Sequence, residues 1–169
     1  MMKEKLIHIY TGDGKGKTTS AVGCAVRAAG AGLKVMFVQL FKDGTSSELK
    51  ILKQLDGVCV KVLPLNHFTW EMTQSEVKEY AKSAITLISE NICRGYDLLI
   101  IDEFFALMTA DGLTESTLSD IILRRDCELI LTGRNAPKSF LKLADYVSDI
   151  QCVKHPFERG VPARKGIEF

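Results

Sequence analysis

A glycine-rich loop near the start of the chain joins an apolar segment to an alanine-rich segment. Residues 11–19 read Thr-Gly-Asp-Gly-Lys-Gly-Lys-Thr-Thr; the apolar residues 6–10 precede them and the Ala-rich residues 21–31 follow. Strand, glycine loop and helix in this order are the setting of a phosphate-binding loop, whose backbone N–H groups and helix dipole attract a polyphosphate. We therefore expect a nucleoside triphosphate to bind at this loop.

Two side chains of the loop carry the expected chemistry. Lys17 is placed to reach phosphate oxygens and to stabilise charge during catalysis, and the Thr18 hydroxyl is placed to ligate Mg²⁺. The loop departs from the usual pattern at Thr11, where a glycine is expected, and Lys15 adds a second lysine. A basic strand-to-helix turn without a ligand is the alternative interpretation. The predicted nucleotide-binding residues of the loop are Gly12, Asp13, Gly14, Lys15, Gly16, Lys17, Thr18 and Thr19.

Composition restricts the possible classes of protein. The 169 residues include 22 Lys and Arg against 21 Asp and Glu, so the chain shows no basic footprint for nucleic acid or for an anionic membrane. No apolar run reaches transmembrane length, and residues 1–4 do not resemble a signal peptide. The five cysteines are dispersed without a C-x-x-C pair. The sequence thus predicts a cytoplasmic, reduced protein with neither nucleic acid nor membrane as a partner.

Apolar segments alternate with segments of helical periodicity along the chain. The apolar segments are continuous, as in parallel strands covered on both faces, and Thr73 with Glu76 forms a capping-box pattern before one helix. Pro137 is expected in the first turn of another helix. These patterns predict one domain over residues 1–169 with an α/β, P-loop NTPase-like (RecA-like) fold, a mostly parallel sheet with helices on both faces. The predicted strands are 6–10, 35–40, 58–63, 98–102, 129–132 and 146–153, and the predicted helices are 17–30, 47–55, 74–93, 115–124 and 137–143.

A pair of carboxylates at the end of one predicted strand is the second chemical signal. Asp102 and Glu103 follow the apolar residues 98–101, as in a Walker B segment, where a carboxylate orients a magnesium ion directly or through water. Many parallel strands end in an acidic residue, so the pair alone is a weak signal. Its interpretation as a Walker B segment depends on the phosphate-binding loop being present in the same chain. The predicted metal ligands are Thr18, Asp102 and Glu103. Glu103 is also predicted to be catalytic, as the base for an attacking water in an ATPase.

Three further segments allow both a structural and a functional interpretation. Thr132 and Arg134 follow another predicted strand and either face the ligand or form a solvated turn. Phe68 and Trp70 lie in the connection after the third strand and are either core anchors or a platform for a flat ligand. The tail at 155–169, rich in Gly, Pro and basic residues, is expected to pack over the cleft.

Taken together, these residues resemble the P-loop ATP:corrinoid adenosyltransferases, also called cob(I)alamin adenosyltransferases. The loop is similar to that family's Gly-Asn-Gly-Lys-Gly-Lys-Thr-Thr, which also lacks the first glycine of the usual pattern. Asp13 replaces the asparagine, and His67 stands where a glycine often precedes the triplet Phe68-Thr69-Trp70. The similarity covers essentially the whole chain and includes residues 12–19, 38–39, 68–70, 102–103, 132–134, 143–145, 160–161 and 166–169.

The resemblance implies an enzyme that transfers an adenosyl group. A cobalt(I) corrinoid, either cobalamin or cobinamide, attacks C5′ of ATP, and the whole triphosphate leaves with the help of Mg²⁺ or Mn²⁺. Aromatic side chains matching Phe68 and Trp70 occupy the lower corrin face, which eases reduction of cobalt(II) by a flavin or a flavoprotein. The resemblance also implies a homodimer. It adds Arg27, Phe68, Trp70 and Arg134 to the predicted cofactor-binding residues.

Two other functions remain open at the level of sequence. A P-loop kinase or ATPase would act at the γ-phosphate of the nucleotide. A nucleotide- or corrinoid-binding module would bind without turnover. The product distinguishes the three, because adenosyl transfer releases intact triphosphate, phosphoryl transfer releases ADP or orthophosphate, and a binding module releases neither.

Overall fold

The structure is a computed structural model that describes residues 4–65, 72–92, 94–110 and 113–168. Its strands are β1 (Ile7–Thr11), β2 (Val35–Lys42), β3 (Val58–Pro64), β4 (Leu98–Asp102), β5 (Glu128–Thr132) and β6 (Tyr146–Asp149). Its α-helices are α1 (Lys17–Gly30), α2 (Glu48–Leu52), α3 (Gln74–Asn91), α4 (Glu115–Ile122) and α5 (Lys138–Leu143). Short 3-10 helices occupy Phe104–Thr109 and Pro156–Arg159.

The strands form one parallel sheet in the order β3-β2-β4-β5-β1-β6. The strand before the glycine loop, β1, lies between β5 and β6, and β5 separates it from β4, which ends in Asp102. Because the strands all run in the same direction, their carboxyl ends lie along one edge of the sheet. The predicted α/β, P-loop NTPase-like fold is confirmed.

Helices cover both faces of the sheet, and alternate strand residues pack against each layer. One buried cluster joins α1 and α2 to Val35 and Phe37 of β2. The other cluster joins α3, α4 and α5 to Met36 and Val38 of the same strand. A strand with an apolar layer on each side has no solvent-facing positions, which is why its sequence is continuously apolar.

The longest described helix, α3, begins where its capping pattern predicts. The Thr73 side chain accepts a hydrogen bond from the Glu76 N–H, and the Glu76 carboxylate accepts one from the Thr73 N–H, so the capping box is confirmed. In the part of the chain that the structure describes, neither α3 nor any other helix combines the length and the apolar character that a membrane crossing requires.

A β-bulge changes which side chains the end of β2 presents. The step from Gln39 to Lys42 on β2 pairs with the step from Val62 to Pro64 on β3, so β2 contains one extra residue there. Phe41 adopts a left-handed conformation with φ 52°. Its ring packs against the α3 layer, whereas strict alternation would have placed it on the α1 face. The bulge also reverses the direction of Lys42, which points toward the start of α1.

Several predicted element ends differ from the structure, among them the helix predicted over 47–55, which spans only Glu48–Leu52. Two of the differences, at the last strand and at Pro137, are described by specific contacts or backbone angles. The last strand ends at Asp149 and not at residue 153, because the backbone at Ile150 turns to bond the glycine loop. This strand is also exposed rather than buried, since β6 lies at the edge of the sheet. Pro137 precedes the first turn of α5 as its N-cap, with an extended ψ of 149°.

Candidate active site

The glycine-rich loop folds around the ammonium group of Lys17. The Lys17 Nζ donates hydrogen bonds to the backbone oxygens of Gly12 at 2.6 Å and Gly14 at 2.8 Å. The Lys17 side chain is buried. Burial lowers the pKa of this lysine, and the positive charge of Arg134 lowers it further. A cation that is held only by carbonyl oxygens in a desolvated loop is well placed to exchange them for phosphate oxygens, which bind it more strongly.

The glycines at the front of the loop are required by a close backbone contact. The Gly14 N–H donates to the Ile150 backbone oxygen at 2.7 Å. A Cβ atom on Gly14 would lie 2.6 Å from the Gln151 backbone oxygen, and one on Gly12 would lie 2.5 Å from the Ile150 backbone oxygen. The residues just after β6 therefore support the loop from behind, and only glycine fits against them.

Asp102, at the end of β4, is fully buried and is surrounded by donors from α1, β2 and β5. Its Oδ1 accepts hydrogen bonds from the hydroxyls of Thr18 at 2.9 Å and Thr132 at 2.6 Å. Its Oδ2 accepts from the Lys42 ammonium at 2.9 Å and the Gln39 amide at 3.4 Å. One carboxylate thus connects the phosphate loop to the neighbouring strand ends.

The oxygen atoms at this point suit a divalent cation. The Thr18 hydroxyl and the Asp102 carboxylate adjoin each other, and the Lys42 ammonium contacts both, at 3.4 Å and 2.9 Å. Among the described residues, no group of three or more His, Cys, Asp or Glu side chains is arranged to hold a metal. The Thr18 hydroxyl and the Asp102 carboxylate are ligands of the kind that Mg²⁺ takes, since it binds one or two protein carboxylates and completes its shell with water and substrate phosphates.

Glu103 follows Asp102 in an unusual backbone conformation. Its φ of 60° and ψ of 30° are left-handed, and its N–H donates to the Thr132 hydroxyl at 3.0 Å. Burial raises the pKa of the Glu103 carboxyl, and the neighbouring charge of Asp102 raises it further. Thr132 thereby binds both acidic residues, because the same hydroxyl donates to Asp102. A left-handed conformation costs energy for a residue other than glycine. Such strained residues are common at functional sites.

Charged residues form the rim of the loop. Arg134 lies 3.7 Å from the Asp13 carboxylate, and both side chains are largely exposed. Lys15 donates to the Glu168 carboxylate at 3.0 Å, and Arg164 contacts the same carboxylate at 3.0 Å. These hydrogen bonds lower the pKa of Glu168 to about 2, with Arg164 as the main cause. The end of the described chain therefore contacts the phosphate loop directly.

The structure does not bring every predicted residue to this point. Thr19 follows Thr18 in the first turn of α1, and it lines a cavity beside this cluster without contacting Asp102. Arg27 is exposed in the last turn of α1, and the rise of the helix places it about 15 Å along the axis from Lys17. Phe68 and Trp70 lie outside the described residues. The roles of these side chains in binding remain predictions.

Two residues of the site are missing from the set predicted by loop and strand motifs. Gln39 is marked in the sequence only by the family resemblance, and no motif marks Lys42. Both are polar residues near the end of an otherwise apolar strand, which was the available signal. Residues three apart on a regular strand face opposite sides of the sheet, so the spacing of Gln39 and Lys42 does not indicate that they belong to one site. The bulge at Phe41 is what brings both to Asp102.

A cavity of about 420 Å³ opens beside this cluster. The start of α1 lines it through Thr18 and Thr19, β2 through Lys42, α2 through Glu48, and the chain end through Glu168. The cavity is continuous with the oxygen ligands of the candidate cation site, because Thr18 belongs to both.

Comparison with known proteins gives a consistent result. A model of the family described as ATP:corrinoid adenosyltransferase BtuR/CobO/CobP matches residues 3–169. The chain is 34% identical over 168 residues to the corrinoid adenosyltransferase CobA of Salmonella typhimurium, an alignment that covers 97% of this chain and 85% of that protein. It is 33% identical over 171 residues to the corrinoid adenosyltransferase of Escherichia coli K12, with the same coverage. The Pseudomonas aeruginosa corrinoid adenosyltransferase is 34% identical over 168 residues, with coverages of 95% and 82%.

Proposed function

Because the chain belongs to the ATP:corrinoid adenosyltransferase family, we propose that its loop site holds ATP while a cobalt(I) corrinoid attacks C5′ of the ribose. A cobalt–carbon bond forms, the bond between C5′ and its oxygen breaks, and intact triphosphate leaves with the electron pair. The observation that carries this assignment of residues is the meeting of the Lys17 loop with the Thr18–Asp102 pair at one sheet edge. Charge develops on the leaving triphosphate, and the site concentrates positive groups there.

Lys17 is proposed to exchange its two loop carbonyl oxygens for triphosphate oxygens. The loop N–H groups and the start of α1 add partial positive charge to the same place. Arg134, which lies 3.7 Å from Asp13 at the rim, is proposed to add a further charge. In an ordinary kinase the stabilised charge lies at the γ-phosphate, whereas here the oxygen bonded to C5′ must be neutralised.

Thr18 and Asp102, with Glu103 beside them, are proposed to hold Mg²⁺ or Mn²⁺. The bound ion would neutralise negative charge on the triphosphate. Alkyl transfer to cobalt removes no proton from the substrate, so it needs no base. The predicted base role of Glu103 therefore belongs to the alternative function, an ATPase in which a carboxyl with a raised pKa activates water.

The corrinoid, cobalamin or cobinamide, is proposed to lie at the same sheet edge. Phe68 and Trp70 follow β3 in the sequence, and we propose that they cover the lower face of the corrin. With both replaced by alanine, a flavin-driven assay that starts from cobalt(II) should fail while chemically reduced corrinoid still reacts. Core anchors would instead cost about 3–5 kcal/mol of stability each and impair both assays.

Two further features are proposed on the resemblance alone, namely a flavin or flavoprotein as the reductant and a homodimer as the assembly. The cytoplasm is proposed as the location because the cysteines are dispersed without a C-x-x-C pair, as in a reduced protein.

The deciding experiment is product analysis with ATP and chemically reduced corrinoid. Adenosylcorrinoid and intact triphosphate should form in equal amounts, and Lys17→Ala should slow the reaction by about 10²–10³-fold without unfolding the protein. Lys82→Ala, an exposed lysine on α3, is the matched control and should react normally. Release of ADP or orthophosphate in place of triphosphate would establish the alternative phosphoryl chemistry.

A further inference from the structure

Lys42 has a placement that the family assignment does not explain. It comes from β2, it is not part of the phosphate loop, and a bulge is needed to direct it to Asp102. This placement costs energy, because Phe41 is held in a left-handed conformation and the register between β2 and β3 is broken. The bulge is itself fixed, because the Phe41 N–H donates to the Tyr80 hydroxyl at 2.6 Å and that hydroxyl donates to the Leu63 backbone oxygen at 2.7 Å. The fold therefore holds Lys42 at this position.

The Lys42 ammonium occupies the point where the two proposed cation ligands meet. It lies 2.9 Å from the Asp102 carboxylate and 3.4 Å from the Thr18 hydroxyl. Asp102 has no exposed surface, and a buried carboxylate without a cation is costly. The lysine side chain is 27% exposed and borders the 420 Å³ cavity, so its head group has space to move away.

We infer that Lys42 is the resident cation of this site, which balances Asp102 before metal is bound and is displaced into the cavity by the divalent cation. Other acidic groups face the same region: Glu48 and Glu168 line the cavity, and Glu103 adjoins Asp102. The displaced ammonium thus remains among groups that can pair with it. Metal binding at this site is an exchange of one cation for another, and its affinity is set partly by the strength of the Lys42–Asp102 contact. The inference rests on the proposed metal role of Thr18 and Asp102.

The test measures Mn²⁺ binding to the nucleotide-free protein by electron paramagnetic resonance. Lys42→Met should bind Mn²⁺ about tenfold more tightly than the wild type, because the metal no longer has to displace a charge-assisted hydrogen bond. Lys42→Arg keeps the charge and should stay near the wild-type affinity. Lys50→Met, an exposed lysine on α2, is the matched control for net charge and should also leave the affinity unchanged.

A thermal-unfolding measurement gives a second readout on the same proteins. Lys42→Met should melt at a lower temperature without metal and should gain more from Mn²⁺ than the wild type gains. Lys42→Gln keeps a hydrogen-bond donor for Asp102 and serves if the methionine variant does not fold. Unchanged or weaker Mn²⁺ binding in these variants, or an equal gain in Lys50→Met, would overturn the inference. Because corrinoid and ATP are absent from both measurements, a failed adenosyl-transfer assay would be a separate result.

Discussion

The Tyr80 hydroxyl joins the α3 layer to the bulge that places Lys42, so its removal gives a direct test of this connection. Tyr80 is 9% exposed, and its hydroxyl accepts from the Phe41 N–H and donates to the Leu63 backbone oxygen. Replacement by phenylalanine keeps the ring, which packs 4.6 Å from the Phe41 ring, and deletes only the oxygen. The change therefore isolates the two hydrogen bonds.

The expected loss of unfolding free energy follows from these two bonds. Each intramolecular hydrogen bond contributes about 0.5–1.5 kcal/mol net, and a backbone group left unpaired away from water adds to the loss. We expect Tyr80→Phe to lower the stability by about 2 kcal/mol. With an m-value of about 2 kcal/mol per molar urea, the midpoint should fall by about 1 M while the slope stays constant.

Urea unfolding followed by circular dichroism measures this loss, with Tyr146→Phe as the control. Tyr146 lies on the edge strand and is 54% exposed, so its variant should stay within about 0.5 kcal/mol of the wild type. Burial raises the pKa of Tyr80 to about 12, and the Phe41 N–H limits the rise. An ultraviolet titration should therefore lose one late-titrating phenol in Tyr80→Phe. A Tyr80→Phe protein as stable as the Tyr146→Phe control would refute the argument that the hydroxyl fixes the bulge.

Other predictions concern the loop and its charges. Gly14→Ala would place a Cβ atom 2.6 Å from the Gln151 backbone oxygen, so it should lower the free energy of unfolding by about 1–3 kcal/mol and weaken ATP binding. Its control is Gly23→Ala, in open space on α1, which should raise the free energy of unfolding by about 0.5–1 kcal/mol. Because burial and Asp102 raise the pKa of Glu103, Glu103→Gln should resist urea better at neutral pH, and the gain should vanish as the pH falls below about 4.3, where the unfolded carboxyl is protonated. Burial and Arg134 lower the pKa of Lys17, so Arg134→Gln should move the alkaline limb of kcat/KM for ATP to higher pH. A Gly14→Ala protein with normal ATP affinity, equal urea curves for Glu103→Gln, or an unmoved limb would each contradict the respective contact.

Local chemistry is what made most of the fold predictable. Each local pattern predicts one element for a physical reason of its own, and the structure contains those elements. The patterns are the phosphate loop, the capping box at Thr73 and the apolar runs of the strands. The last strand was overextended because residues 150–153 continue the apolar pattern. What ends the strand is a tertiary contact, in which the Ile150 backbone bonds the loop about 136 residues earlier in the chain.

The same distinction applies to the site. Lys17, Thr18 and Asp102 were named from motifs, and the structure brings the three together. Lys42 was missed because its position depends on an inserted residue in β2, which leaves no mark on hydrophobic alternation. Arg27 was named through the resemblance and lies in the last turn of α1, away from Lys17, so its role in binding stays a prediction.

The position of β1 in the sheet has a consequence for how the chain becomes active during synthesis. The neighbours of His8 in the sheet are Ile130 and Tyr146, so the strand that leads into the loop is made first but acquires its partners last. Contacts so distant in sequence form slowly, and the amino-terminal part of a chain leaves the ribosome long before the carboxyl-terminal part. A growing chain that has completed β2, β3 and β4 already contains every residue of the loop, yet it lacks the strands that shape it. Nucleotide bound at this loop would therefore stabilise only chains in which β5 and β6 have already paired with β1.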